Sequence, residues 1–278
     1  MATNDLIKKI DSALLLLSSA CDYHEVEVCF SGGKDSEVIL ELAKMAGINF
    51  QAIYKNTTID PPLTIQHVLS KGATILNPKV NFFELVKRNG MPTRRARFCC
   101  RYLKEYKVYD SAIQGIRVCE SQNRKKRYSI DDPIVCRFYG SKKSNVQVIL
   151  PILSWSDDDV SAFIHDRKIT CHPLYYDDSK NFCVSRRLGC IGCPLQADAG
   201  VADFIKYQKF FIRLVECVCL WWDTHPSAKS HTKFKSPYGL IAHNLFYKNY
   251  FTWLADDYSL FGYRDWKCLL ESYFHVSL

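Results

Sequence analysis

The chain has 278 residues, 47% hydrophobic and 24% charged, a balance that excludes a disordered chain and leaves room for one large domain or a domain with an appendage. The net charge of +8 suits an anionic ligand, nucleotide or nucleic acid, and falls short of a dedicated DNA-coating protein. Thirteen cysteines cannot all pair within one chain; the count argues against a disulfide scaffold and for a reducing, cytoplasmic setting with some cysteines on a metal or cluster.

At the N-terminus, Lys8-Lys9 and the run from Ala13 to Cys21 have the outline of a lipoprotein signal, but the apolar run is short and Asp11 interrupts the approach. The same residues place Leu6, Ile10, Ala13, Leu14 and Leu17 on one face of an amphipathic helix. No other stretch is long enough to span a membrane, so no membrane role is expected. Residues 25–30 read as a strand ending at a Ser-Gly-Gly turn, followed by a helix with Val38, Ile39, Leu42, Met45 and Ala46 on one face and Gly47 at its end. Residues 49–54 read as a second strand. A helix follows Pro61-Pro62 through Val68-Leu69, and residues 73–76 make a third strand. Strand alternating with helix predicts parallel βαβ units, hence an α/β sheet with helices on both faces. Further on, residues 101–109 read as a helix, and 112–118 and 147–150 as strands. Ser156-Asp157-Asp158-Asp159 opens a helix that runs to Arg167. From Ala199 the chain is helical and aromatic-rich. The expected division is therefore an α/β domain over 1–198 and a C-terminal helical appendage over 199–278.

Strand, Ser31-Gly32-Gly33 turn and helix is the order that aims backbone N–H groups at an anion. Both glycines are expected to take positive φ so that phosphate oxygens can approach the backbone. Ser31 and Ser36 add hydroxyl donors and Lys34 adds charge. The hexapeptide Ser31 to Ser36 is neither a Walker A loop nor the Gly-x-Gly-x-x-Gly of dinucleotide folds. A nucleotide phosphate site is the expectation.

Phe30 to Ser36 resembles the signature of the PP-loop ATP pyrophosphatases (adenine nucleotide α-hydrolase-like), specifically their phosphoadenosine-phosphosulfate reductase-like, iron–sulfur-bearing branch. Similar stretches follow in order: Asn56-Thr57-Thr58 with Pro61, Arg97-Phe98-Cys99-Cys100 with Leu103-Lys104-Glu105, and Gly115-Ile116-Arg117 with Glu120-Ser121 and Arg124. Pro151 to Trp155 and His172-Pro173-Leu174-Tyr175 then lead to Gly189-Cys190-Ile191-Gly192-Cys193-Pro194. The resemblance covers residues 24–196. Thr58 stands where the family carries glycine. The catalytic Glu-Cys-Gly motif of true reductases is missing, the last cysteine being Cys268 in another context.

The resemblance implies a PP-loop enzyme that cleaves ATP between the α- and β-phosphates, activates an acceptor by adenylation and releases pyrophosphate. Such an activity would be linked to sulfur transfer or nucleic-acid modification. ATP, Mg²⁺ and a [4Fe–4S] cluster are the implied cofactors. Lys34, Asp35 and Arg117 are the expected catalytic residues, Arg117 reaching a phosphate or the substrate, and Asp35 either orienting the loop, meeting Mg²⁺ through water or capping the helix. Ser31, Gly32, Gly33, Lys34, Asp35, Ser36, Thr57 and Gly115 would bind the nucleotide. Cys99, Cys100, Cys190 and Cys193 would hold the metal, with Cys183 an alternative to Cys99 or Cys100. Adjacent cysteines diverge and seldom close on one zinc ion, whereas a cluster offers separate irons. Cys21, Cys29, Cys119, Cys136, Cys171, Cys217 and Cys219 read as small core residues. Arg94, Arg95, Arg97 and Arg101 form one basic group, Arg124 to Arg127 a second and Lys142-Lys143 a third, offering DNA or RNA a surface or simply meeting water. Two alternatives stand beside the first: a phosphoadenosine or adenosine phosphosulfate reductase, and a nucleotide-binding subunit of a larger nucleic-acid defence complex or homo-oligomer.

Overall fold

The computed structural model describes residues 4–21, 25–138, 145–246 and 265–278. The basic pair Lys142-Lys143 lies outside the described residues. By contact the chain forms two compact units: Met1–Asn56, Pro61–Asn77 and Glu105–Gly189 make the first, and Thr57–Asp60, Pro78–Lys104 and Cys190–Leu278 the second.

The first unit is built on a six-stranded sheet of β1 (Val26–Cys29), β2 (Phe50–Lys55), β3 (Thr74–Leu76), β4 (Ser111–Ile113), β5 (Ile134–Phe138) and β6 (Asn145–Ile149) in the order β3-β2-β1-β4-β6-β5. All neighbours are parallel except β5, which runs antiparallel to β6 at the edge. Too few residues separate β5 from β6 for the crossover that a parallel pair requires. The period-two alternation sorts the core. Val26, Val28, Ala52, Tyr54, Ile113 and Ile149 face one hydrophobic cluster with α1 (Asn4–Ala20), α2 (Lys34–Met45) and α7 (Asp157–Asp166). Ala112, Val146 and Val148 face another, with Tyr128 and Leu153. Leu6, Ala13 and Leu17 of α1 are buried, so the amphipathic reading describes these residues. Among the described residues no helix is long and apolar enough to cross a membrane.

Two element boundaries differ from expectation. β4 ends at Ile113 rather than near 118, because the chain leaves the sheet at Gln114-Gly115 to turn against the start of α2. The helix expected over 101–109 is α5 (Phe98–Leu103), which stops before Tyr106, whose carbonyl accepts from Lys55 Nζ at 2.9 Å. The remaining short helices of the first unit are α3 (Thr64–Ser70) and α6 (Gln122–Arg127).

The second unit is helical. α4 (Phe82–Asn89) packs along α9 (Gln208–Thr224), and α8 (Val201–Lys206), α11 (Pro237–Leu245) and α12 (Trp266–Phe274) complete a core rich in Phe204, Phe211 and Phe274, with α10 (Ser230–Lys233) beside them. α4, α9, α11 and α12 each bury apolar residues in this core, which none of them could cover alone.

Candidate functional site

β1 sits where the strand order turns back, with β2 on one side and β4 on the other. In open parallel sheets the loops leaving the strand ends diverge there and make a crevice. The Ser31–Ser36 loop leaves β1 at that point and runs into α2, whose first turn carries Lys34, Asp35 and Ser36. A helix start leaves its first amides without helical acceptors and concentrates positive potential.

The loop is shaped from within. Gly32 has φ +74, a value that favours glycine, but Gly33 is extended at φ −80, which corrects the expectation that both take positive φ. Ser36 Oγ donates to the Gly33 carbonyl at 2.7 Å, and Ser31 Oγ to Ser36 Oγ at 3.3 Å. Both hydroxyls therefore hold the turn in this structure. The Tyr175 hydroxyl accepts from the N–H groups of Lys34 at 3.1 Å and Leu188 at 3.2 Å, tying the segment after α7 to the loop. Burial pushes this phenol up to about 12, against the pull of those two donors. With both N–H groups arriving at its oxygen, the hydroxyl keeps its own proton to donate.

The charged residues form a chain. Lys34 Nζ is 3.2 Å from Asp35 Oδ2, and Asp35 Oδ1 accepts from Arg117 Nε at 2.7 Å. Arg117 Nη2 in turn meets Asp157 Oδ1 at 2.7 Å, at the first residue of α7. Arg117, expected to reach a phosphate or the substrate, is buried here between Asp35 and Asp157, and its guanidinium pairs with both carboxylates. Asp35 is the second residue of its helix and caps nothing, since the cap position is Gly33 with no side-chain bond. Gly115 serves the same junction. A Cβ there would come within 2.8 Å of the Asp35 carbonyl, so the protein's own backbone uses the space. Behind the loop, Glu37 accepts from His67 at 2.5 Å and Lys71 at 2.9 Å. Tyr175 and Asp157 carry no role by sequence alone; the His-Pro-Leu-Tyr and Ser-Asp-Asp-Asp stretches mark their neighbourhoods without saying what they touch.

In the second unit, Cys99 and Cys100 lie on the first turn of α5, and Cys190 and Cys193 on a loop before α8. Cys99 shares a hydrogen bond with Cys100 and feels Cys190, and together with burial this pushes its thiol far up. Burial, with Cys190 and Cys100, also raises Cys193. Lys104 faces Cys190, Asp60 and Cys100; loss of water works against its charge, and these partners outweigh it to raise its pKa. Thr57, expected at the nucleotide, is buried here: its N–H donates to Asp60 Oδ2 at 3.0 Å, and its hydroxyl accepts from Cys190 Sγ at 3.5 Å. Thr58 takes φ +64, the conformation for which the resembling family keeps glycine, and its hydroxyl accepts from Phe82 N–H at 2.9 Å at the start of α4. A β-branched residue in that region costs about 1–2 kcal/mol.

Among the described residues no three His, Cys, Asp or Glu side chains are arranged around a single metal ion. Cys99 nevertheless interacts with Cys100 and Cys190, and Cys193 with Cys190 and Cys100, while the Lys104 ammonium faces Cys190 and Cys100. That donor set fits a cluster of several irons. Cys183 belongs to the first unit, where its N–H bonds to the Tyr175 carbonyl at 2.7 Å. Of the cysteines read as core residues, Cys21, Cys171 and Cys217 are buried, Cys29 and Cys219 partly so, but Cys119 and Cys136 are exposed. Both of these lie outside the helix and sheet faces that pack the core, so spacing alone misplaced them. Cys268 is exposed and donates to Asp265 Oδ2 at 3.2 Å.

The basic groups divide. Arg94 donates to the carbonyls of Pro194 at 2.9 Å, Leu195 at 3.3 Å and Gln196 at 2.8 Å, clasping the loop that follows Cys193. Arg95, Arg97 and Arg101 are exposed. Arg124 pairs with Glu120, and Arg127 lies over the Tyr128 ring at 5.6 Å, on the short helix α6.

The first unit is thus a mostly parallel sheet with a Ser-Gly-Gly turn at its switch point, leading into a helix. A family model described as the phosphoadenosine phosphosulfate reductase domain matches residues 25–196, and the chain belongs to that family. Two uncharacterized proteins of Methanocaldococcus jannaschii are 30% identical over 208 residues and 32% over 207, each match covering 69% of this chain and 46% and 40% of theirs. An uncharacterized 37.8 kDa protein of Escherichia phage 186 is 26% identical, over 71% of this chain and 59% of its own. The chain thus spans about half the length of the curated relatives it matches. Among solved structures, Candida glabrata FMN adenylyltransferase with FMN and the ATP analog AMPCPP is 12% identical, covers 69% of this chain and 66% of its own, and has a TM-score of 0.45. The U34-tRNA thiolase NcsA of Methanococcus maripaludis with its [4Fe-4S] cluster is 17% identical over 80% of this chain and 82% of its own, at 0.43.

Proposed function

We propose that the chain is an ATP α,β-cleaving enzyme: an acceptor oxygen attacks the α-phosphorus of ATP, the bond from that phosphorus to the bridging oxygen breaks, and pyrophosphate leaves with the electron pair. The observation that carries this reading is the chain of charges at the start of α2, where Asp157 pairs with Arg117, Arg117 with Asp35 and Asp35 with Lys34. Negative charge grows on the leaving pyrophosphate, and a cation already fixed beside the phosphate loop stabilises it without reorganising. The Tyr175 hydroxyl proton adds a neutral donor at the same turn. Asp35, on the loop's own helix, would meet a magnesium ion entering with ATP, which would neutralise phosphate charge there.

Cys99, Cys100, Cys190 and Cys193 would hold an iron–sulfur cluster, which when bound supplies iron for sulfur handling or a rigid pin for the loops. The acceptor is a nucleic acid or a sulfur-transfer partner. The test is pyrophosphate release from ATP with candidate acceptors. Lys34→Met is expected to lower kcat/KM for ATP by roughly 10²-fold. Retention of full rate in that variant, or ATP cleaved only to ADP and phosphate, would overturn the reading.

A further inference from the structure

Two stretches of the second unit contain no aspartate or glutamate: residues 85–104 and residues 224–246. They meet at a cavity of about 450 Å³ whose lining includes Thr93, Arg94, Arg95, Lys233, His243 and Asn244, and no carboxylate. We propose that this cavity binds a phosphate group of a single-stranded nucleic acid.

The chemistry of the wall supports an anion with several acceptor oxygens. Arg94 is immobilised by its three carbonyl bonds, so its charge is fixed at the rim. Arg95 and Lys233 are exposed, and among the described residues neither has a carboxylate within ion-pair distance. Lys233 Nζ stands 3.4 Å from His243 Nε2. Burial and that ammonium push His243 down, so the imidazole accepts from Lys233 and adds no charge of its own. Thr93 Oγ1 accepts from the Ala96 N–H at 3.0 Å, which leaves its hydroxyl proton to donate, and the Asn244 amide offers a second neutral donor. A phosphate placed here would balance the charge of Arg95 and Lys233.

The surroundings favour a strand over a small anion. Arg97, Arg101, Lys229 and Lys235 are exposed on the same two stretches and extend the positive charge beyond what one phosphate needs. Tyr102, 49% exposed, carries the Arg101 guanidinium over its ring at 5.1 Å, a cation–aromatic pair of the kind that contributes to holding single strands. The volume suits one nucleotide unit rather than the flat face of a duplex.

This reading is independent of the ATP reading, because the residues belong to the other unit and the measurement uses no ATP. The experiment is fluorescence anisotropy of a labelled oligothymidylate across a salt series, with the wild type, Arg95→Ala, Lys233→Ala and, as a control on the first unit, Lys44→Ala. Arg95 and Lys233 are exposed, so both variants are expected to fold, as circular dichroism would verify. Each of these two substitutions is expected to weaken binding and lower the log–log salt slope by about 0.7, with the control unchanged. Affinity and slope unchanged in both, or lowered equally by Lys44→Ala, would overturn the site. Competition with inorganic pyrophosphate separates the sources. If pyrophosphate binding depends on Arg95 and Lys233 while no oligonucleotide binds, the cavity is a small-anion site and the strand reading falls.

Discussion

His172 has no exposed surface, and its ring lies edge-on to that of His67 at 5.5 Å. Its Nδ1 accepts from the Leu174 N–H at 3.1 Å, which puts the ring proton on Nε2, 3.4 Å from Thr64 Oγ1. Burial first, and then His67, push the imidazole down to about 4. Between the ordinary histidine value near 6.5 and that folded value, the unfolded chain binds a proton that the folded chain refuses. Stability is therefore present in full above about pH 6.5 and falls as pH drops towards 4, by roughly 3 kcal/mol if fully expressed. Urea unfolding at about pH 7 and pH 4.5 is expected to show this loss in the wild type and a smaller loss in His172→Gln. Equal losses in both would assign the acid sensitivity to other groups.

At the scale of elements, the cysteine group depends on how a helix start and a loop are built. Adjacent Cys99 and Cys100 start about 100° apart around the axis of α5, yet their side chains meet in a hydrogen bond, which keeps both thiols at one place. The Cys190–Cys193 loop is held by its own bonds: Ile191 N–H to the Ile59 carbonyl at 2.8 Å, Gly192 N–H to Asp203 at 2.9 Å, and Gln196 to the same carboxylate at 2.8 Å. A loop held at these three points by the protein's own groups loses little entropy on binding a metal. Anaerobic preparations are expected to carry about four irons and four sulfides per chain, lost in Cys193→Ser. One zinc per chain in place of iron would overturn the cluster.

Over the whole molecule, the second unit is assembled from separated pieces of chain. α4 turns Phe82, Leu85 and Val86 into the same core as Phe211, Leu214 and Val218 of α9, although more than a hundred residues separate them in sequence. Ending the chain at residue 198 removes α8 to α12 and strips that cover from α4. The truncated chain is expected to bind a hydrophobic dye and to precipitate, because the uncovered apolar side chains would face water. A soluble, dye-silent product would instead make 1–198 the self-sufficient domain.

The sequence by itself determined what short-range backbone geometry governs. Period-two strands, the helix after Ser31-Gly32-Gly33 and the Ser156–Asp159 capping box at the start of α7 are written in residues a few positions apart, and the structure contains each. The soft-ligand set of Cys99, Cys100, Cys190 and Cys193 was legible as chemistry but not as geometry. Tertiary structure alone decided which charges are spent and which face solvent. Arg117 is 82 positions from Asp35, and Tyr175 is 141 from Lys34. No local pattern announces that the first is walled in between two carboxylates, or that the second holds the phosphate loop. Arg94 and Arg95 stand side by side in sequence, yet one is consumed by carbonyls a hundred positions on and the other is left to solvent. The physical reason is that periodicity reports which face of an element is buried, whereas the partner of a buried charge is set by where distant elements pack.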